Sequence, residues 1–232
     1  MPARRCGRCS TPADAVHIVV TRPQPSAAVT ADRVRAAGHK VTVAPLMVAE
    51  AIAWTPPAIP PAAIMLTSGF AARLADAPAF HGLPVFAVGA ATARAARDAG
   101  FADVRDGGGT AQALLDRVAA AGFGDLLHLA GADRVAVAVP AGLRVATAIV
   151  YRARLLPLAV APVADWVLVF SPRTAGHFAA EVDRLGGNRA AIAIAAISEA
   201  ALAAAGTGWR AARAAARPDE DALMAAIGIS WH

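Results

Sequence analysis

The stretch WVLVFSPRTAGHFAAEVDRLGG, residues 166–187, contains a complete strand–turn–helix unit. Its first five residues form an apolar run that predicts a strand over residues 166–170. Ser171 can accept hydrogen bonds from the free backbone N–H groups of a helix start, and Pro172 suits the first helical position because it has no N–H to lose. An amphipathic segment follows and ends at Gly186, which can adopt the left-handed conformation of a helix end. The stretch therefore predicts a strand that leads directly into a capped helix.

The same order of features recurs along the chain: a short apolar run, a turn with a hydroxyl or a glycine, and an alanine-rich amphipathic segment. This alternation is typical of α/β proteins with parallel sheets. The predicted strands cover residues 16–21, 41–44, 63–66, 84–88, 126–129, 144–151, 166–170 and 191–197. Helices are predicted in most of the gaps, with left-handed ends at Gly38, Gly100, Gly122 and Gly186.

Two segments, residues 45–61 and 151–162, interrupt this alternation. In each, a β-rich segment runs into a cluster of prolines with no helix between them. A chain of 232 residues is long enough for one large α/β domain or for two of about 100 residues each. The interruptions favour two domains: a discontinuous first domain of residues 15–44 and 157–232, and a second domain of residues 45–156 that includes the connecting strands.

Composition and charge exclude or disfavour several classes of function. The residues are 57% apolar, but much of this is alanine, and no stretch of eighteen residues lacks a charge, a glycine or a proline. The apolar run at residues 16–20 is too short for a signal peptide, so we expect a cytoplasmic protein. The net charge of +5 comes from arginine, with Lys40 the single lysine, and favours an anionic ligand. Nucleic acid is disfavoured, because the arginines are scattered without interleaved aromatic residues.

The first fourteen residues carry a Cys-x-x-Cys motif at Cys6 and Cys9. A structural zinc site needs four ligands, and His17 is the one further candidate nearby, so a metal site is disfavoured. Residues 1–14 show neither helical nor strand periodicity, and we predict a disordered leader there.

Four predicted strand ends share one local design, with a hydroxyl or a glycine at the start of a helix. They read Leu66-Thr67-Ser68-Gly69, Val88-Gly89-Ala90-Ala91-Thr92, Phe170-Ser171-Pro172-Arg173 and Ile197-Ser198-Glu199. Each is explained as a helix cap that stabilises by about 1 kcal/mol. Because the carboxyl ends of parallel strands meet at one edge of a sheet, these sites together also suit a carboxylate or phosphate ligand.

Specific phosphate loops are missing, since no Gly-x-Gly-x-x-Gly follows a strand and no Gly-rich Gly-Lys-Ser/Thr occurs. The glycine-rich stretch of residues 106–110 is interpreted as a strand-to-helix turn. The sequence therefore implies neither a dinucleotide nor a nucleoside triphosphate.

Groups that could carry catalysis are few. The six histidines are dispersed, and no Ser-His-Asp order or paired-carboxylate motif stands out. His128, inside an apolar strand, is interpreted as a hydrogen-bonded core residue. Tyr151 is the single tyrosine and ends a predicted strand at a domain junction. It is either an amphipathic residue whose hydroxyl is satisfied by backbone or a functional group.

Read in order, these segments resemble the uroporphyrinogen-III synthase family from about residue 16 to residue 227. The order and spacing of short landmarks carry the resemblance. These landmarks are Thr21-Arg22-Pro23, Pro45, Leu66-Thr67-Ser68, Ala87-Val88-Gly89-Ala90-Ala91-Thr92-Ala93, Gly100-Phe101, Gly109-Thr110-Ala111, Gly131 with Arg134, Val150-Tyr151, Phe170-Ser171-Pro172, Ala196-Ile197-Ser198 and Ala222-Leu223.

The resemblance implies two flavodoxin-like α/β domains with parallel sheets, joined by a two-stranded β connector, with a tetrapyrrole held in the cleft between them. It implies a monomeric lyase without metal or organic cofactor, which cyclises hydroxymethylbilane to uroporphyrinogen III in tetrapyrrole biosynthesis. The reaction loses water and inverts ring D through a spiro intermediate. The substrate's acetate and propionate groups would be held largely by backbone N–H groups and hydroxyls.

The family's motifs can be carried over residue by residue. Tyr151 matches the tyrosine that is usually proposed to assist loss of the terminal hydroxyl. The substrate contacts that the resemblance implies are Thr21, Arg22, Thr67, Ser68, Gly89, Thr92, Arg134, Ser171 and Ser198. This chain has Ala201 where many relatives have a threonine, so residue 201 has no hydroxyl to contact the substrate at that helix start.

Two rival functions remain open from the residues alone. One is a non-catalytic module of the same fold that binds a tetrapyrrole or another anionic metabolite. The other is an unrelated enzyme or sensor of doubly wound fold that binds a phosphorylated metabolite. Retention of Tyr151, Thr67, Ser68 and Ser171 favours the enzyme.

Overall fold

The computed structural model describes residues 15–134 and 136–230 of the chain. The chain divides into two compact units, with boundaries between Val48 and Ala49 and between Arg154 and Leu155. The first unit takes the described residues up to Val48 and from Leu155 onward, and the second unit is Ala49–Arg154. The predicted leader and its two cysteines, Cys6 and Cys9, lie outside the described residues.

The described residues form strands and helices in nearly regular alternation. The strands are β1 (His17–Val20), β2 (Lys40–Val43), β3 (Met47–Ala51), β4 (Ala63–Leu66), β5 (Pro84–Ala87), β6 (Asp103–Asp106), β7 (Asp125–Gly131), β8 (Arg144–Leu155), β9 (Trp166–Val169), β10 (Ala193–Ala196) and β11 (Ala211–Ala214). The α-helices are α1 (Ser26–Ala36), α2 (Gly69–Leu74), α3 (Ala90–Asp98), α4 (Ala111–Ala120), α5 (Pro172–Arg184), α6 (Glu199–Ala205) and α7 (Glu220–Ala226).

The first unit is built on a five-stranded sheet of order β11-β10-β9-β1-β2, in which every neighbouring pair is parallel. Successive residues of a strand point to opposite faces, so each strand serves two cores. Val167 and Val169 belong to a core that contains Phe178 of α5. Leu168, between them, packs in the opposite core with Leu223 of α7. A sheet buried on both faces explains the continuous apolar runs that predicted these strands.

The second unit is built on a six-stranded sheet of order β3-β8-β7-β4-β5-β6. The pairs from β8 to β6 are parallel. Ile64 and Leu66 of β4 pack in a core with residues of α2 and α3. Met65, between them, packs on the other face with Leu114 and Val118 of α4. The two faces of this sheet are thus covered by different helices.

The eight predicted strands are confirmed, with ends that differ by a few residues. The sequence patterns missed β6 and β11 and placed β3 in a linker. Both β6 and β11 lie at a sheet edge, where one side has no strand partner and the residues are more exposed, so polar Asp-Val-Arg-Asp and small Ala-Ala-Arg-Ala replace an apolar run. The four glycines predicted to end helices do have positive φ angles.

The parallel topology brings the carboxyl ends of neighbouring strands to one edge of each sheet. In the first unit these are the ends of β1, β9 and β10, and in the second unit those of β4, β5 and β7. Among the described residues, no helix combines the length and the apolar character needed to cross a membrane.

Candidate active site

The carboxyl-terminal edge of the first sheet carries three of the predicted hydroxyl residues. Ser171 follows β9 and Ser198 follows β10, while Thr21 follows β1. The Ser171 Oγ accepts a hydrogen bond from the Thr174 N–H at 3.2 Å. The Ser198 Oγ accepts one from the Ala201 N–H at 3.3 Å. Both serines are helix caps, and they remain only partly buried.

Thr21 differs from these serines because it is fully buried. Its hydroxyl donates a hydrogen bond to the carbonyl oxygen of Leu168 at 2.6 Å and so ties β1 to β9. The hydrogen of the Thr21 hydroxyl therefore takes part in a hydrogen bond within the first unit.

Arg22 is also engaged within the first unit. Its Nη1 lies 3.2 Å from the Thr30 Oγ1 and 3.4 Å from the Glu220 Oε2, and its guanidinium carbon stands 4.7 Å from the centre of the Phe170 ring. Burial lowers the pKa of the Arg22 guanidinium, while the charge of Glu220 acts in the opposite direction. These contacts link Glu220 of α7 to Thr30 of α1 through Arg22.

The corresponding edge of the second sheet carries Thr67 and Ser68 after β4 and Gly89 after β5. The Ser68 Oγ accepts a hydrogen bond from the Phe70 N–H at 3.2 Å and so caps α2. No side chain caps α3, where Gly89 is the residue before the helix. A Cβ atom built on Gly89 would meet nothing within 4 Å, so the space beside this helix start is open. Thr92, in the first turn of α3, is buried.

Tyr151 lies in β8, opposite the last residue of β7. The register places Tyr151 beside Gly131 after a bulge at Ala130/Gly131. Its ring packs at 5.8 Å from the Phe70 ring, centre to centre. The backbone carbonyl of Tyr151 accepts from the Ala132 N–H at 2.9 Å. Within residues 15–134 and 136–230, the Tyr151 hydroxyl makes no hydrogen bond to backbone or side chain.

His128 and Arg134 line a cavity of about 450 Å³ on the α4 face of the second sheet. The His128 Nε2 lies 3.0 Å from the Thr67 Oγ1. Burial, assisted by the charge of Arg134, lowers the pKa of His128 to about 4. His128 is 7% exposed, so its interpretation as a hydrogen-bonded core residue is confirmed. Its partner was missed, because no local pattern reveals a contact 61 residues apart along the chain.

The predicted site residues thus fall into two sets, one in each unit. Thr67, Ser68, Gly89, Thr92, Arg134 and Tyr151 belong to the second unit, and Thr21, Arg22, Ser171 and Ser198 belong to the first. In the described part of the chain, no three His, Cys, Asp or Glu residues stand close enough together to hold a metal ion.

Comparison with known protein families decides between the functions that this geometry leaves open. The family model described as uroporphyrinogen-III synthase HemD matches residues 28–225. The chain belongs to the uroporphyrinogen-III synthase family. The matched span includes eight of the ten proposed site residues and leaves out Thr21 and Arg22.

A solved structure of a uroporphyrinogen-III synthase shares the fold of this family member. The enzyme of Helicobacter pylori 26695 is 16% identical, with a TM-score of 0.55 over 90% of this chain and 97% of that one. A mutant of the Thermus thermophilus enzyme is 14% identical, with a TM-score of 0.49 over 92% of this chain and 96% of that one. No curated protein sequence matches the chain.

Proposed function

We propose that this protein is a lyase that converts hydroxymethylbilane to uroporphyrinogen III, with loss of water and inversion of ring D. Membership of the uroporphyrinogen-III synthase family carries the proposal. Among the described residues the Tyr151 hydroxyl has no hydrogen-bond partner, which agrees with the proposal because a catalytic hydroxyl must be available to the substrate.

The substrate's acetate and propionate groups require hydrogen-bond donors and positive charge. The uncapped start of α3 at Gly89 offers backbone N–H groups at the positive end of a helix. Ser68, Ser171 and Ser198 bring hydroxyls to the starts of three other helices. Arg134 adds a guanidinium at the cavity of the second unit. Binding is therefore distributed over many weak contacts.

The chemical step needs little acid, because a pyrrole nitrogen pushes electrons toward the departing hydroxyl. The Tyr151 hydroxyl donates a hydrogen bond to this leaving oxygen. The oxygen takes up a proton and departs as water, the pyrrole nitrogen releases its own proton, and a neutral azafulvene remains. The substituted carbon of ring D then attacks the exposed methylene carbon to give the spiro intermediate. The original bond from that carbon to the bridge toward ring C breaks, and the unsubstituted α-carbon of ring D bonds to the released bridge carbon and loses its proton. The protein's main contribution is to hold the tetrapyrrole in a bent conformation. In this conformation the methylene carbon lies nearer to the substituted carbon of ring D than to the carbon that would close the ring without inversion.

In this proposal the protein works as a monomer in the cytoplasm and uses no metal or organic cofactor. Its first domain is residues 15–44 and 157–232, its second domain is residues 45–156, and β3 and β8 provide the connecting strands.

Fresh hydroxymethylbilane is the decisive substrate for a test. The purified protein should yield the III isomer, which chromatography separates from the I isomer that forms spontaneously. Product that is the I isomer alone, formed at the rate of the protein-free control, would refute the assigned activity. Binding of uroporphyrinogen without turnover would instead identify a non-catalytic module.

A further inference from the structure

His128 occupies an unusual position for a polar ring. In β7 it lies between Met65 of β4 and Thr147 of β8, with which it is in register. Its neighbours along the strand, Leu127 and Leu129, are buried and apolar. An apolar side chain would fill such a place without the cost of burying a polar group. Within the described part of the chain, the ring makes one hydrogen bond, between Nε2 and the Thr67 Oγ1.

The ring is neutral at pH 7, because burial holds the pKa of His128 at about 4. A neutral imidazole carries one N–H donor and one acceptor nitrogen. If Nε2 were the acceptor, Thr67 would use its hydroxyl hydrogen on His128. If Nε2 carries the hydrogen, it donates to the Thr67 oxygen, and the Thr67 hydrogen stays available for a ligand.

The second arrangement is the one that serves an anionic substrate, because a carboxylate only accepts hydrogen bonds. It requires Nδ1 to act as an acceptor. Nδ1 has no hydrogen-bond partner in the described part of the chain, and the ring borders the cavity of about 450 Å³. That volume leaves room for water to donate to Nδ1. The cavity thus leaves Nδ1 able to act as an acceptor, as the form in which Nε2 carries the hydrogen requires.

We infer that His128 is a positioning residue whose Nε2–H fixes the Thr67 hydroxyl as a hydrogen-bond donor to a carboxylate of the tetrapyrrole. The inference rests on the proposed function, which supplies the carboxylate. Thr67 follows β4 at the same sheet edge as Gly89, Arg134 and Tyr151. His128 acts through Thr67 and does not itself contact the substrate.

Three variants test the pair. His128→Leu should raise KM about ten- to a hundredfold, the size expected for a lost hydrogen bond to a charged group, and should change kcat less than threefold. Thr67→Val should do the same. The double variant should be no worse than Thr67→Val, because one interaction is removed in each case. Multiplied losses in the double variant would overturn the inference.

Conservative replacements separate positioning from packing. The amide nitrogen of glutamine reaches the place of Nε2, so His128→Gln should restore KM to within about threefold of wild type. The amide of asparagine reaches only the place of Nδ1, so His128→Asn should raise KM like leucine. It also provides the test if His128→Leu does not fold. A wild-type KM in His128→Asn, or no rescue by glutamine, would contradict the positioning role.

Thr147→Val is the matched control, because Thr147 lines the same cavity and pairs with His128 without bonding to Thr67. Its KM should stay within about twofold of wild type. An equal rise in KM there would show that any change in this cavity weakens binding, and would overturn the inference. Wild-type protein that makes the III isomer supports the proposed function whatever these variants show. Wild-type protein that makes none removes both proposals.

Discussion

The ring of Tyr151 lies directly against Gly131, so closely that a Cβ atom built on this glycine would stand 2.6 Å from the tyrosine Cζ and 2.8 Å from its Oη. Real Cβ atoms do not approach other heavy atoms to this distance, so a larger residue must push the phenol aside. The Gly131 backbone itself does not have a positive φ. What requires glycine at this position is the tyrosine side chain.

Gly131→Ala should therefore misplace the Tyr151 hydroxyl while the fold persists. We expect kcat to fall about tenfold or more, since a small misplacement of a reacting group is costly. Steady-state kinetics with fresh hydroxymethylbilane measure the change. Gly82→Ala is the control, because a Cβ there meets nothing within 4 Å. Equal kcat values for the two variants would show that the position of the phenol is unimportant.

Tyr151→Phe removes the hydroxyl and keeps the ring that packs on Gly131 and Phe70. Turnover should slow by roughly ten- to a thousandfold, the lower range for a positioned acid. The product should remain mainly the III isomer, because the conformation in which the protein holds the substrate, and not the hydroxyl, directs the attack. Isomer separation after complete conversion tests the second point. An unchanged rate would remove Tyr151 from the mechanism.

Ser171→Ala should cost only a few-fold to tens-fold in kcat/KM, because the backbone N–H groups of α5 remain available to the substrate. The lost cap should also lower the free energy of unfolding by about 1 kcal/mol. Asp219→Ala provides the comparison, since Asp219 caps α7 through the Ala222 N–H without belonging to the proposed site. It should lose stability and keep its activity. Complete inactivity of a folded Ser171→Ala protein would contradict distributed binding.

Glu181 should make stability depend on pH in the acid range. Its carboxylate accepts from the Leu158 N–H at 2.7 Å and pairs with Arg184, and these bonds, with Arg184 the larger cause, lower the pKa of Glu181 from 4.5 to about 2. The stabilisation is complete above pH 4.5 and is lost as the pH falls toward 2. Glu181→Gln should melt at a lower temperature than wild type, by a margin that shrinks with acidity.

Melting temperatures measured between pH 3 and pH 7 check this dependence. Asp183→Asn is the control, because Asp183 pairs with Arg189 at the surface, where an ion pair contributes little. A margin between wild type and Glu181→Gln that stays constant over the whole range would exclude the carboxylate as its source.

Much of the fold follows from local patterns in the sequence, and the exceptions have physical reasons. Buried strands such as β4 and β9 have apolar runs, whereas the exposed edge strands β6 and β11 do not, and they were missed. The helix caps at Ser68, Ser171 and Ser198 could be predicted because a cap depends on residues close in sequence.

Only those features of the site that depend on residues close in sequence could be predicted. Thr21 and its partner Leu168 lie 147 positions apart in the sequence. Arg22 and its partner Glu220 lie 198 positions apart. The Thr67–His128 bond is of the same kind. Such contacts depend on the strand order of the folded sheet, which short-range patterns do not reveal.

The place of β1 in its sheet has a consequence for how the protein is made. β1 pairs on one side with β2 and on the other with β9, whose first residue, Trp166, comes well over a hundred residues later. While the ribosome synthesises the chain, Ile18 and Val20 of β1 cannot pair with β9 until the whole of the second unit has emerged. The second unit, whose strands are contiguous in the chain, can fold first. The nascent first unit is then the part of the protein that needs protection from aggregation until translation is nearly complete.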